Sequence, residues 1–470
     1  MYINFDIIRR DIHSLSDEGF VEQLSRYQQA LKKTGKGRHQ IRELKRSLIF
    51  KKYGKNGRRT YTKQELFLIR NNTNKKESLI LEQLYPKRNF HWKNFNKRDA
   101  TAQEIDVKDF SFIDNPQETL KIFQNMAEAE SNKALHSCTI NFWDSGIRDI
   151  SPYLLLGSVM SQMFPFFSGG HMEVSLKHVV RDLQLDKDWK INLRDIEEPD
   201  PNILALPVLR KEHIEQENKE IDTGSAREKV ATKIRIMFDQ WLSVVSDQKI
   251  SLSEYGRSYL WNIISEVLDN AERHAIINSE RSDGKWSVTC FMEYKKESND
   301  YTCCMSFFNV GASIAETIGT STDPSMTSRL RTYIAKHKHY DEELLTTVFA
   351  LQDNSTRKNG ESVGGYGLMS MVNFIQKMGK TNKPEHLPKI VIISGHSYVK
   401  FADGYIVQNY GDVAGNRYQW FNKSNSEEEP PDAAYIFRLQ GYIPGTIITT
   451  RFSLDKDILT NERNNGTANN

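Results

Sequence analysis

From Tyr259 to Ile277 the apolar positions Leu260, Ile263, Ile264, Val267, Leu268, Ala271 and Ala275 recur at helical spacing, which predicts a helix with one buried stripe. Glu266, Asn270 and Arg273 fall on another face of that helix, at i, i+4 and i+7. A preceding helix is expected near Val230–Ser246. Trp286–Met292 and Tyr301–Phe308 are rich in strand-forming residues and are separated by the turn-like Lys295–Asp300. Pro388–Ser394 predicts an apolar strand that Ser394-Gly395-His396 turns, and Pro444–Phe452 predicts another. Between them, Asp323-Pro324-Ser325 can cap a helix, Leu344–Gln352 reads as a helix, and Ser362–Val372 is a glycine-rich turn into an apolar helix.

Upstream, His136–Trp143 reads as a strand. Ile150-Ser151-Pro152 opens a helical run with Ser151 as N-cap and Pro152 at its first position. Gly169-Gly170 ends it, and His171–Ser175 reads as the next strand, so the order suggests a βαβ unit. Glu197-Glu198-Pro199-Asp200-Pro201-Asn202 breaks structure, and Arg210 to Glu220 reads as a short exposed helix. The expected organisation is a basic, mainly helical region over 1–100, a small α/β module over 101–195 and a linker over 196–225. An α/β domain over 226–455 and a disordered tail over 456–470 complete it. The fold class is α/β.

The chain of 470 residues is 38% hydrophobic and 27% charged, and no apolar run approaches the length that spans a bilayer. Its first residues lack the basic-then-apolar build of a signal peptide, so the expected location is the cytoplasm, with no membrane partner. Cys138, Cys290, Cys303 and Cys304 show no metal-ligand spacing and read as reduced core residues. Residues 1–100 carry a formal charge of about +14, which leaves about −11 for the rest of a chain totalling +3. Aromatics such as Tyr53, Tyr61, Phe67 and Trp92 are interleaved with those basic residues. Such a surface could track a nucleic-acid backbone, dock an acidic protein, or simply be a solvated face.

The candidate chemistry lies in the C-terminal half. A carboxylate and a carboxamide one helical turn apart, Glu266 and Asn270, can share one substrate: the first can take a proton from water, and the second can ligate a hard cation such as Mg²⁺. Asn309-Val310-Gly311-Ala312-Ser313-Ile314 follows a predicted strand. Ser362-Val363-Gly364-Gly365-Tyr366-Gly367-Leu368 places bare backbone N–H groups before a helix, a generic anion site. Lys336-His337-Lys338-His339 reads as a solvated stripe, since no carboxylate or cysteine completes a metal site.

Taken in order, Glu266-x-x-x-Asn270-Ala271-x-x-His274, the Asn309 loop, the glycine run and Pro444-Gly445-Thr446 resemble the boxes of the GHKL ATPases. That family comprises gyrase B subunits, ninety-kilodalton heat-shock chaperones, MutL proteins and histidine kinases. The resemblance covers about half the chain. It implies a Bergerat α/β sandwich of helices on a mixed sheet, with ATP and Mg²⁺ as cofactors. By it, Glu266 orients and deprotonates water, Asn270 ligates the metal, and Asn309 with Gly311 reads adenine. Gly364, Gly365 and Gly367 cradle phosphate, Thr446 helps hold the base, and the segment 315–362 contains a mobile lid from which Arg357 and Lys358 could reach phosphate. The family usually has Asp at the position of Asn309 and Gly at that of Ser313. Losing the charge should weaken the bond to the base by about 1 kcal/mol.

The module over 101–195 is similar to the STAS-like modules that precede GHKL domains in some bacterial proteins. The expected function is an ATPase that uses ATP as a conformational switch in a bacterial regulatory or defence setting, with protein partners and a homodimer among its assemblies. Two alternatives stay open: a protein kinase of the histidine-kinase or anti-sigma type, and a non-hydrolysing binding protein acting through the basic region.

Overall fold

The computed structural model describes Gln29, residues 78–88, and residues 101–461 apart from 133–134, 164–166, 168, 190, 194–199, 218–224, 246–249, 275–284, 353–366, 380–385 and 408–416. The elements in chain order are α1 (Leu79–Leu84), β1 (Thr101–Val107), α2 (Pro116–Ser131), β2 (Leu135–Phe142), α3 (Ser151–Gln162), α4 (Val174–Asp182) and α5 (Leu185–Trp189). Then come β3 (Ile203–Ala205), β4 (Leu209–Arg210), α6 (Lys211–Glu217), α7 (Ala226–Val245), β5 (Ile250–Leu252), α8 (Glu254–His274), β6 (Trp286–Lys295) and β7 (Asp300–Asn309). The last are α9 (Ile314–Gly319), α10 (Pro324–Lys336), α11 (Glu342–Ala350), α12 (Gly367–Met378), β8 (Lys389–Phe401), α13 (Gly404–Val407), β9 (Ile436–Ser453) and β10 (Leu459–Asn461). The fold is mixed α/β with an antiparallel sheet.

The chain forms two units: residues 1–106, 125–142 and 162–171 in one, and 107–124, 143–161 and 172–470 in the other. In the first, β1 pairs with β2. Phe167 forms a parallel bridge with Cys138 of β2, Ile140 N–H donates to Gly169 O at 3.1 Å and Phe142 N–H to His171 O at 2.8 Å. Gly170 has φ +147°, and a Cβ there would come within 1.8 Å of Ile140 O, so only glycine lets the two backbones approach. Arg88 grips Glu130 with two bonds, 2.7 and 3.2 Å, and both side chains are buried.

The second unit is built on a six-stranded sheet in the order β3-β6-β7-β9-β8, with β4 also pairing β6. Alternation along the strands gives each face its own residues. Cys290, Met305, Phe307, Ile392 and Ile448 face a helical layer and join the core formed with Phe238 and Trp241 of α7, Ile263, Ile264, Val267 and Leu268 of α8, and Met371, Val372 and Ile375 of α12. The alternate residues face other chain. There Thr449 Oγ1 donates to Asp149 at 2.8 Å, Tyr398 OH donates to Phe112 O at 3.0 Å, and Arg451 grips Asp114 with bonds of 2.9 and 3.1 Å.

Several expectations change. Residues 107–124 and 143–161, expected in a separate module, belong to the same unit as the sheet, because their polar groups are satisfied by it. The stretch expected as a linker supplies β3 and β4, both antiparallel to β6. All described pairings in this sheet are antiparallel rather than mixed. The strand expected at His171–Ser175 is only a bridge followed by α4, since Leu176, Val179 and Val180 carry a helical stripe into the core. Asp149, not Ser151, caps α3: its Oδ1 accepts from both the N–H and the hydroxyl of Ser151.

Ser394-Gly395-His396 does not turn β8. The strand runs through it by a bulge in which Gly395 takes φ +63°. Of the Lys336–His339 stretch expected as solvated, Lys336, Lys338 and His339 are exposed and His337 alone is turned inward. His337 is buried, with Nε2 2.9 Å from Glu427 O, and Lys336 pairs with Glu427 and Glu428 at 3.2 and 2.5 Å. Within the expected tail, Lys456–Ile458 form a 3₁₀ turn with Ile458 buried, and β10 pairs with β5. The basic region, apart from Gln29 and residues 78–88, and the end of the tail beyond Asn461 lie outside the described residues.

Candidate functional site

Four side chains stand in register across four adjacent strands, at the end of β6 and β7, where β8 and β9 run on as a pair. Trp286 of β6 pairs with Asn309 of β7, Asn309 with Thr446 of β9, and Thr446 with Ser394 of β8. Strand alternation puts all four on the helical face, because Val288, Phe307, Ile448 and Ile392, two positions along each strand, lie in the helix-facing core. Asn309, Thr446 and Ser394 are polar, as is the buried Thr450 farther along the same face of β9, in a layer that is mostly apolar. Asn309 is 9% exposed, and its carboxamide has no hydrogen-bond partner among the described residues. That carboxamide is not among the fully buried polar groups, so its oxygen and its NH₂ both stay open to a ligand.

Two helices reach the same end. The C-terminal turn of α8 is anchored over β6, where Trp286 Nε1 donates to Glu272 at 2.9 Å and Glu272 also pairs with Lys211 at 3.3 Å. The neighbouring Asp269 pairs with Arg227 of α7 and with Arg273, so this flank of α8 faces α7. The other flank carries Tyr259, Glu266 and Asn270 at i, i+7 and i+11. It faces α12, since Tyr259 stacks obliquely on Phe374 at 5.4 Å and lies under Lys377 at 5.2 Å.

The two helices run in opposite directions. The C-terminal end of α12 is tied to the chain just past β9, by a bridge from Gly379 to Leu454 and a bond from Asp455 N–H to Met378 O at 2.8 Å. The start of α8 lies by the same stretch, with Ser253 N–H donating to Ile458 O at 2.7 Å. The first turn of α12, at Gly367, therefore points toward the half of α8 that bears Glu266 and Asn270, and toward the Asn309–Thr446 end of the sheet. Glu266 is exposed and Asn270 half-buried, and neither has a polar partner among the described residues.

The loop after Asn309 is held by hydroxyls. Ser394, fully buried, accepts from Ile314 N–H at 2.8 Å and stands 2.9 Å from both Gly445 O and Thr446 Oγ1. Ser313 is the N-cap of α9 in a reciprocal capping box: its Oγ accepts from Glu316 N–H at 3.1 Å, and Glu316 Oε2 accepts from Ser313 N–H at 2.8 Å. Serine stands there because a helix begins there. Gly445 has φ +98°, and a Cβ on it would come within 2.0 Å of Asn309 O and 2.9 Å of Gly311 N. The closing strand and the Asn309 loop touch backbone to backbone.

Sheet register sets Asn309, with Gly311 after it, beside Thr446, and the α8 flank that carries Glu266 and Asn270 faces α12, which begins at Gly367. Gly364, Gly365, Arg357 and Lys358 lie outside the described residues. Ser394, Trp286 and Glu272 complete the arrangement without having been singled out as site residues in the sequence. A lone serine at an inward position after Ile390, Val391, Ile392 and Ile393 was the available signal for the first. Among the described residues no three His, Cys, Asp or Glu side chains cluster as a metal site. One unpartnered carboxamide oxygen, on Asn270, suits an ion such as Mg²⁺ that arrives on phosphates and keeps most of its other ligands as water. No described helix is long and apolar enough to cross a membrane. No family model, curated protein or solved structure matches the chain.

Proposed function

We propose that the chain binds a magnesium–ATP complex at this end of the sheet and hydrolyses it, as a GHKL-type ATPase on a Bergerat α/β sandwich. One juxtaposition supports the reading: the α8 flank with Glu266 and Asn270 faces the helix that starts at Gly367, and the Asn309–Thr446 pair lies in the row of Trp286, which bonds Glu272 in the last turn of α8. Asn309, Glu266 and Asn270 are polar groups without partners among the described residues; Asn309 is nearly buried, Asn270 half-buried and Glu266 exposed. A nucleotide would supply a partner to each.

In this reading Asn309, with Gly311 behind it, meets the base, and Thr446 supports it from the next strand. The start of α12 and the glycines before it hold phosphate, as helix N-termini do. Asn270 ligates the Mg²⁺ carried by the nucleotide, and Glu266 takes the proton from the attacking water. Residues 107–124 and 143–161, packed on the opposite sheet face, correspond to part of a STAS-like module. Nucleotide-dependent change at the sheet end would reach them through the strands, which suits a switch in a bacterial regulatory or defence system.

One observation favours a second reading, a protein that binds nucleotide without hydrolysing it: no described residue orients Glu266. Thermal unfolding with MgATP and with a non-hydrolysable analogue tests binding, and phosphate release tests turnover. We expect stabilisation by both nucleotides, and a Glu266→Ala variant that keeps the stabilisation and loses phosphate release. Stabilisation without turnover in the native chain selects the second reading, and no stabilisation by either nucleotide removes both.

A further inference from the structure

We propose that the base pocket accepts 6-oxo purines as well as 6-amino purines, so that GTP is a ligand alongside ATP. This rests on the nucleotide reading above. The groups placed to meet a base edge are the Asn309 carboxamide and the Thr446 hydroxyl, backed by the buried Ser394 hydroxyl, and none carries a charge. Asn309 is 9% exposed and its carboxamide is unpartnered among the described residues, so its oxygen and its NH₂ are both available. A half-turn of the amide exchanges acceptor for donor. Adenine offers an amino donor at position 6, and guanine a carbonyl acceptor.

The hydroxyls can follow. Ser394 Oγ accepts from Ile314 N–H at 2.8 Å, so its single proton goes either to Gly445 O or to Thr446 Oγ1, each 2.9 Å away. With the proton on the Gly445 side, Thr446 donates to Ser394 and shows lone pairs outward. With it on the Thr446 side, the Thr446 proton is free to be donated. Each base edge therefore finds its complement by a flipped amide and a rotated proton. A carboxylate at 309 could only accept and would repel a 6-oxo group. Trp286, the fourth member of the row, spends its only donor on Glu272.

The test measures affinities of the full chain for the magnesium complexes of non-hydrolysable ATP and GTP analogues by titration calorimetry, with a CTP analogue as control, in the native chain and in Asn309→Asp. We expect ATP and GTP analogues within about tenfold of each other, a difference under about 1.4 kcal/mol, and a larger gap in favour of ATP in the variant. A native chain that prefers the ATP analogue by more than tenfold overturns the proposal and leaves the nucleotide site standing. Failure to bind any of the three overturns both. The native ratio decides the matter if the variant does not fold.

Discussion

Thr449 donates its hydroxyl to Asp149 at 2.8 Å across 300 positions of chain, both groups being fully buried. Asp149 also accepts from Phe112 N–H at 2.7 Å, Ile113 N–H at 3.1 Å, Ser151 N–H at 2.9 Å and Ser151 Oγ at 2.8 Å. One carboxylate thus ends a loop, caps α3 and joins both to the central strand β9. Replacing it leaves three backbone N–H groups buried without acceptors.

Asp149→Ala should therefore destabilise the protein by about 3 kcal/mol or more, since each unsatisfied buried donor costs about 1–3 kcal/mol. Thr449→Val, which removes one bond and leaves an acceptor with other donors, should cost about 1 kcal/mol. Urea unfolding of the two variants checks the order. Equal losses would mean that the carboxylate is not the hub.

The Asp114–Arg451 pair gives a pH dependence. Burial pushes the Asp114 carboxyl up, but the hydrogen bonds and charge of Arg451, with Lys389 and Lys400, outweigh it and hold the carboxyl below its ordinary range. A carboxyl depressed in the folded state adds stability above its unfolded value, about 3.9, and that stability is lost as pH falls through the lower folded value. Asp114→Asn should be less stable at pH 7 and should lose less on acidification below about pH 4. Denaturant midpoints over that range check it; parallel curves for variant and native chain would contradict it.

The helices and strands of the C-terminal half were legible because their signals are local. The stripe through Leu260, Ile263, Ile264, Val267 and Leu268 is a helix face wherever it packs, and all five are buried in α8. The Asp323 cap with Pro324 at the first helical position is likewise local, and it forms as expected. What the sequence hid is long-range. Nothing near Ile203 says that it will pair with Glu293, and nothing near Asp149 names Thr449 as its partner. The bulge that carries β8 through Gly395 reads locally as a turn, because glycine at positive φ serves both. Candidate site residues were legible as types and spacings. The alignment of Asn309 with Thr446 is a property of sheet register, which also supplies Ser394 and Trp286.

Ser394 tests whether that register matters to the site. Ser394→Ala removes the acceptor of Ile314 N–H and the neighbour of Thr446 Oγ1, while keeping the strand. The Asn309 loop should loosen at its far end. Affinity for the nucleotide should fall by about tenfold, the equivalent of about 1.4 kcal/mol, with global stability reduced by about 1–3 kcal/mol for the orphaned N–H. Calorimetric titration beside an unfolding curve separates the two; a stability loss with unchanged affinity would make Ser394 purely structural.

Gly445 sets the closest approach. Its φ of +98° and the 2.0 Å that would separate a Cβ from Asn309 O leave no room for a side chain. Backbone on both sides means that neither neighbour can rotate away, unlike a clash with a flexible side chain. Gly445→Ala must then push β9 from the Asn309 loop, at a cost of at least about 2 kcal/mol for the strained backbone. Because the displaced strand carries Thr446, nucleotide affinity should fall further than in Ser394→Ala. Gly319→Ala, where a Cβ meets nothing within 4 Å and the backbone is helical, is the matched control and should leave both stability and affinity near native values. Native affinity in Gly445→Ala, in a variant shown to be folded, would separate the base pocket from the β7–β9 junction and move the candidate site elsewhere.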